Sequence, residues 1–137
     1  MKKLKTTENG QYTTVYFHAP SVRDAASAAR WVTGAAALSE MDGRYIALRD
    51  LSHSADEGRA DVQMDPTTEL EDILAALEKG GYDRLFLAGT FNGTRVGLGV
   101  SLNTFELAVT VPVGSAALTE TIAEQIVRHM YNGENEI

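Results

Sequence analysis

Few residues of this chain carry reactive chemistry. Its histidines, His18, His53 and His129, are scattered, and none belongs to an HExxH-type spacing. Each reads as a surface or strand-end residue rather than a metal ligand or a base. There is no cysteine, so disulfides, thiolate metal sites and thiol nucleophiles are excluded. Asp56, Glu57, Asp61 and Asp65 offer oxygen ligands for a hard cation. Their spacing lacks the alternating acids, the glycine and the terminal glutamate of a calcium loop, so a solvated loop is expected. The pairs Asp56-Glu57 and Glu71-Asp72 are adjacent in sequence, so on a helix or strand their carboxylates point apart. Gly97-Leu98-Gly99 lacks the third glycine of a dinucleotide fingerprint and falls inside a strand. No Walker loop and no serine in a nucleophile elbow occurs. Acid–base work at neutral pH needs a positioned titratable cluster, and none is legible. The expectation is a protein that is not an enzyme and uses no cofactor and no metal.

The glycines of that Gly97-Leu98-Gly99 run are more informative as structure. Asn92-Gly93 is a strong type I′ hairpin signal, because both central residues of such a turn need positive φ. A loop of those two residues sets Gly89 against Val96, Leu87 against Leu98 and Leu85 against Val100. A second turn at Asn103-Thr104 sets Val100 against Leu107 and Leu98 against Val109. Both registers place the aliphatic residues on one face, as a period of two requires. The opposite face carries Phe86, Ala88 and Thr90, then Arg95, Gly97, Gly99 and Ser101, then Glu106, Ala108 and Thr110. Glycine inside a strand marks close approach or a bulge, so this smooth strip needs a reason. Three are open. Phe86 covers a glycine on a solvated face; a helix or second protomer lies on the strip; or a small molecule binds there, near Tyr16, His18, Tyr45 and Arg49.

The remaining elements follow in order. Residues 1–10 suggest a polar tail, with a short strand turning at Asn9-Gly10 as the alternative. Tyr12 to His18 is β-branched and aromatic, so it reads as a strand. Ser21 is a candidate N-cap for a helix running to about Leu38, with Val22, Ala25, Ala26, Ala29, Val32 and Ala36 as its apolar stripe. Trp31 lies off that stripe, near Ala35 and Leu38. Either the helix ends near Gly34 and Trp31 folds under a loop, or Trp31, Ala35 and Leu38 meet another protomer. Met41-Asp42-Gly43 suggests a turn, and Arg44 to Leu51 a strand parallel to the first through a crossover. Residues 52–64 form a long irregular stretch ending in a candidate edge strand. Asp65-Pro66 starts a helix with Leu70, Ile73, Leu74 and Leu77 inward. After the meander, Ser115 caps a last helix carrying Leu118, Ile122, Ile126 and Met130.

A length of 137 residues fits one domain, here 11–137, with a sizeable core. The net charge of −7 argues against nucleic acid, and no segment has the length and apolarity to cross a membrane. The chain's opening, Met1-Lys2-Lys3-Leu4-Lys5, is basic but no apolar run follows it, which suggests a cytoplasmic protein. The fold expected is α+β, a mostly antiparallel mixed sheet of about five strands with three helices, in the order β-α-β-α-β-β-β-α. The function expected is protein–protein interaction or regulation, as a homo-oligomer or with another protein. The alternative is a small-molecule pocket on the glycine-rich sheet face. Candidate contact residues are Trp31, Ala35, Leu38, Phe86, Gly97 and Gly99.

Overall fold

A computed structural model describes residues 2–20, 22, 24–49, 62–102, 104–114 and 116–131. His53, Asp56, Glu57 and Asp61, the expected caps Ser21 and Ser115, and the turn residue Asn103 lie outside them. The strands are Lys2–Asn9 (β1), Tyr12–His18 (β2), Met41–Arg49 (β3), Val62–Met64 (β4), Arg84–Phe91 (β5), Thr94–Ser101 (β6) and Glu106–Pro112 (β7). They form one seven-stranded sheet in the order β1-β2-β7-β6-β5-β3-β4. Every neighbouring pair is antiparallel. The helices are Ala25–Ala36 (α1), Leu70–Gly80 (α2) and Ala116–Tyr131 (α3).

The meander has the register that the Asn92-Gly93 turn implies. Asn92 (φ 49°) and Gly93 (φ 83°) both take positive φ. Leu85 then pairs with Val100, Leu87 with Leu98, and Leu98 in turn with Val109. β2 and β3 do run in the same direction, but β7, β6 and β5 lie between them, so α1 crosses the whole meander. Two strands exceed the expected five. Lys2–Asn9 is not a tail: it pairs with β2 along its length and turns through Gly10 (φ 63°). Its lysines make it a poor strand by composition, yet lysine is what protects a sheet edge from foreign pairing. Val62–Met64 closes the other edge against β3.

All three helices serve the aliphatic face. α1 lies on β5, β3 and β6, α3 lies on β7 and β2, and both α2 and α3 touch α1. Val15, Ile46, Leu48, Leu85, Leu87, Leu98, Leu107 and Val109 lose all their exposure beneath them. Each such side chain contributes about 1.5–3 kcal/mol of transfer free energy. Asp24 caps α1 by accepting a 2.8 Å hydrogen bond from the Ser27 amide, so the helix starts at Ala25. Because α1 is held between the sheet and its neighbouring helices, it buries two sides. Trp31 is only 5% exposed, Ala35 is fully buried, and Leu38 packs against the same core. The expected outward tryptophan edge is therefore an internal layer of this chain.

Local details shift for identifiable reasons. The turn falls just before Met41, whose amide donates to Leu38 O at 3.0 Å, so Met41 to Gly43 already belong to β3. Asp65 does not cap α2. Its Oδ1 instead accepts from the Thr67 amide (2.8 Å) and hydroxyl (2.6 Å). α2 begins later, at Leu70, and ends at Gly81 (φ 67°), which closes it by donating to Leu77 O. The inward stripe of α3 includes Thr119, Ala123, Ile126 and Val127, while Leu118 is 58% exposed. No helix among the described residues is long and apolar enough to cross a membrane.

β1 is tied to α3 through Lys3 Nζ and Glu120 Oε1 at 2.6 Å, with the Thr6 hydroxyl 3.3 Å from Glu120 Oε2. The hydrogen bond from Lys3 holds the Glu120 carboxyl below the usual carboxylate range. The same bond raises Lys3 above its ordinary value. The lowered Glu120 makes this tie strongest above the ordinary carboxylate pKa, and acid weakens it as Glu120 takes up its proton. Raised Lys3 loses its part only as pH climbs through its elevated value. Amide exchange in β1 is therefore expected to speed up on acidification beyond the intrinsic pH trend, with Glu120→Gln removing the step. An unchanged step in that variant contradicts the tie. Trp31→Ala is expected to cost about 3–5 kcal/mol in urea unfolding without changing the solution mass. A lower mass at unchanged stability would return Trp31 to an interface.

Candidate functional site: the helix-free face of the sheet

The face opposite the helices is built in rows, because antiparallel pairing sets equivalent residues side by side across strands. One row reads Lys5, Tyr16, Ala108, Gly99, Phe86, Ala47, from β1 to β3. Its neighbour reads Lys2, His18, Glu106, Ser101, Arg84, Arg49. On the other side lie Thr14, Thr110, Gly97, Ala88 and Tyr45. The Thr14 and Thr110 hydroxyls share a 2.8 Å hydrogen bond. Arg95 Nη1 donates to the Tyr12 hydroxyl at 3.2 Å.

The first row makes a trough. Two of its small residues, Ala108 and Gly99, are bracketed by two aromatics three strand spacings apart, about 14 Å. A half-open hollow of about 200 Å³ occupies this place, and Tyr16, Phe86, Gly99, Ala108, Arg84, Ser101 and Glu106 are among the residues lining it. A Cβ on Gly99 would sit 3.0 Å from Phe86 Cε1 and 3.3 Å from Cδ1. Phe86 thus leans over Gly99, as the covered-glycine reading has it. Gly97 is different: only Thr110 Cβ, at 3.8 Å, would lie within reach.

Cations hold both aromatic walls. Lys5 Nζ lies 4.8 Å from the Tyr16 ring centre. The guanidinium carbons of Arg49 and Arg84 lie 4.8 Å and 5.0 Å from that of Phe86. Each contact is worth about 0.5–1 kcal/mol at an exposed site. Ser101 Oγ is buried with no hydrogen-bond partner among the described residues, a condition shared by Trp31 Nε1 in the core. A hydroxyl left so costs about 1–3 kcal/mol, which a bound acceptor or donor would recover.

The charge on this face opposes that of the chain. Among the described residues, Lys2, Lys5, Arg49, Arg84 and Arg95 lie on it against Asp42 and Glu106, although the whole chain carries −7. The sequence shows no basic run beyond the N-terminal lysines, because these arginines come from three separate strands. Their positions beside the inward Leu48, Leu85 and Val96 are a signal for the face. The strand order brings Arg49 and Arg84 together, while Arg95 stands three rows away against Thr90.

Of the six residues singled out from the sequence, Phe86, Gly97 and Gly99 meet on this face, while Trp31, Ala35 and Leu38 belong to the core side. Of the pocket neighbours, Tyr16 lines the hollow and Arg49 stacks on Phe86, whereas His18 and Tyr45 stand in the flanking rows. His129 sits on the helix side, edge-on to Phe91 at 5.7 Å and 3.7 Å from Glu40. Among the described residues no group of three histidine, aspartate or glutamate side chains is placed to hold a metal. Comparison with family models, curated proteins and solved structures finds no match, so the functional reading rests on the chain's own residues.

Gly97→Ala is expected to raise stability by about 0.4–1 kcal/mol, since the added methyl meets no obstacle and the unfolded chain loses freedom. Gly99→Ala must displace the Phe86 ring by a few tenths of an ångström, so its denaturation midpoint should fall below that of Gly97→Ala. The reverse order would mean that Phe86 does not cover Gly99.

Proposed function

We propose that this chain is a non-enzymatic protein-interaction module that meets another protein through the helix-free face of its sheet. One partner side chain sits in the hollow between Tyr16 and Phe86. The hollow carries this reading through its size and openness. At about 200 Å³ it falls below the roughly 300–1,000 Å³ of small-molecule pockets, and it is half-open where such pockets enclose their ligand. A space of that size suits one side chain of a larger surface. Tyrosine, arginine and a recessed apolar floor are also the usual anchors of protein interfaces. The small residues of the neighbouring row, Gly97 and Ala88, let a partner backbone come close.

A different chain suits the face better than a second copy of this one. Two copies joined face to face would oppose the same excess of lysine and arginine. A cytoplasmic setting accords with the cysteine-free composition.

The test is a titration of isotope-labelled protein with the blocked peptide Ac-Ala-Phe-Ala-NH2, followed by amide chemical shifts. Shifts are expected at Tyr16, Phe86, Gly99 and Ala108. They should vanish in Ala108→Phe, which fills the hollow from its floor. Shifts confined to the helices, or none at all, would overturn the reading.

A further inference from the structure

We propose that the partner segment seated on this face is acidic: an uncharged hydrophobic side chain in the hollow, with aspartate or glutamate on both sides of it. This rests on the preceding reading of the face and names the partner's chemistry. The first support is charge. Cationic side chains stand at both ends of the trough, Lys5 beyond Tyr16 and Arg84 beside Phe86, in a chain that is acidic as a whole. Stacking on the rings holds these cations in place, so less side-chain freedom is lost when a carboxylate docks. The second support is Glu106. It lines the hollow itself, so a carboxylate pushed inside would meet a like charge. The acids are therefore sorted to the flanks and the apolar group to the centre.

Geometry sets the length. From β1 to β5 the trough crosses four strand spacings, about 19 Å. An extended peptide covers that in roughly six residues at about 3.3 Å each. A single-stranded nucleic acid is the competing polyanion, and it usually binds by stacking bases on exposed aromatic rings. Here Lys5 lies over the Tyr16 ring, and Arg49 and Arg84 lie over the Phe86 ring. Carboxylates on a protein segment need the cations and not the rings, and they fit what is offered.

The experiment compares three blocked hexapeptides that differ only in flanking charge: Glu-Glu-Phe-Ala-Glu-Glu, Gln-Gln-Phe-Ala-Gln-Gln and Lys-Lys-Phe-Ala-Lys-Lys. Oligothymidylate serves as the nucleic-acid probe. The full chain is titrated with each and followed by amide shifts. The acidic peptide is expected to bind about tenfold tighter than the neutral one, the sum of several exposed ion pairs, and the advantage should shrink as salt rises. In the double variant Lys5→Gln, Arg84→Gln the ratio of acidic to neutral peptide affinity should fall severalfold, and an unchanged ratio overturns the charge preference. Equal binding of acidic and neutral peptides overturns the charge preference and leaves the docking face standing. Binding by none of the peptides overturns both. Tighter binding of oligothymidylate than of the acidic peptide overturns the assignment in favour of nucleic acid.

Discussion

Everything on this molecule depends on the register of the β5-β6-β7 meander. Side chains alternate with a period of two, so a slip of one residue would exchange the two faces of a strand. Leu87, Leu98 and Val109 would then face water, and Phe86, Gly99 and Ala108 would face the helices. The Asn92-Gly93 turn, with both residues at positive φ, holds that register locally. The continuous aliphatic layer under the helices holds it globally. Local turn chemistry and long-range burial agree, and such agreement is what specifies a single structure.

The same alternation gives the sheet two unlike surfaces. One is packed with leucine, valine and isoleucine and is closed by three helices. The other carries small residues, the aromatics Tyr12, Tyr16, Tyr45 and Phe86, and a collection of cations. Phe86 shows how the second surface is kept stable where no described helix covers it. It shields Gly99 from one side and is itself flanked by Arg49 and Arg84. Glycine in a central strand is thereby tolerated where the trough needs its floor to be low.

The sequence made the meander legible because its signals are local: a turn dipeptide and aliphatic residues at every second position. Phe86, Gly97 and Gly99 were placed on one face by that register alone. The seventh strand, β1, was hidden because lysine and threonine at an edge look like a tail. Trp31 was misleading for another reason. Helical periodicity tells which residues share a side of α1, but not that α2 and α3 wait on the far side. The Arg49–Arg84 pair was illegible because the two become neighbours only when β3 is inserted beside β5, while Arg95 stands six residues along β6 from their row. Strand order comes from long-range packing, which no short window contains.

The docking site requires that the Gly97 side of the sheet face open solvent when the protein is alone. Solvent paramagnetic relaxation, with a neutral gadolinium chelate added to the protein, measures this directly. Strong relaxation is expected for the Gly97 α protons and the Ala88 and Ala108 methyls, and weak relaxation for Leu98, Val109 and Ala28 on the helix side. Protection of Gly97, Ala88 and Ala108 to the level of Leu98 would mean the face is already covered, and the site described here would not exist.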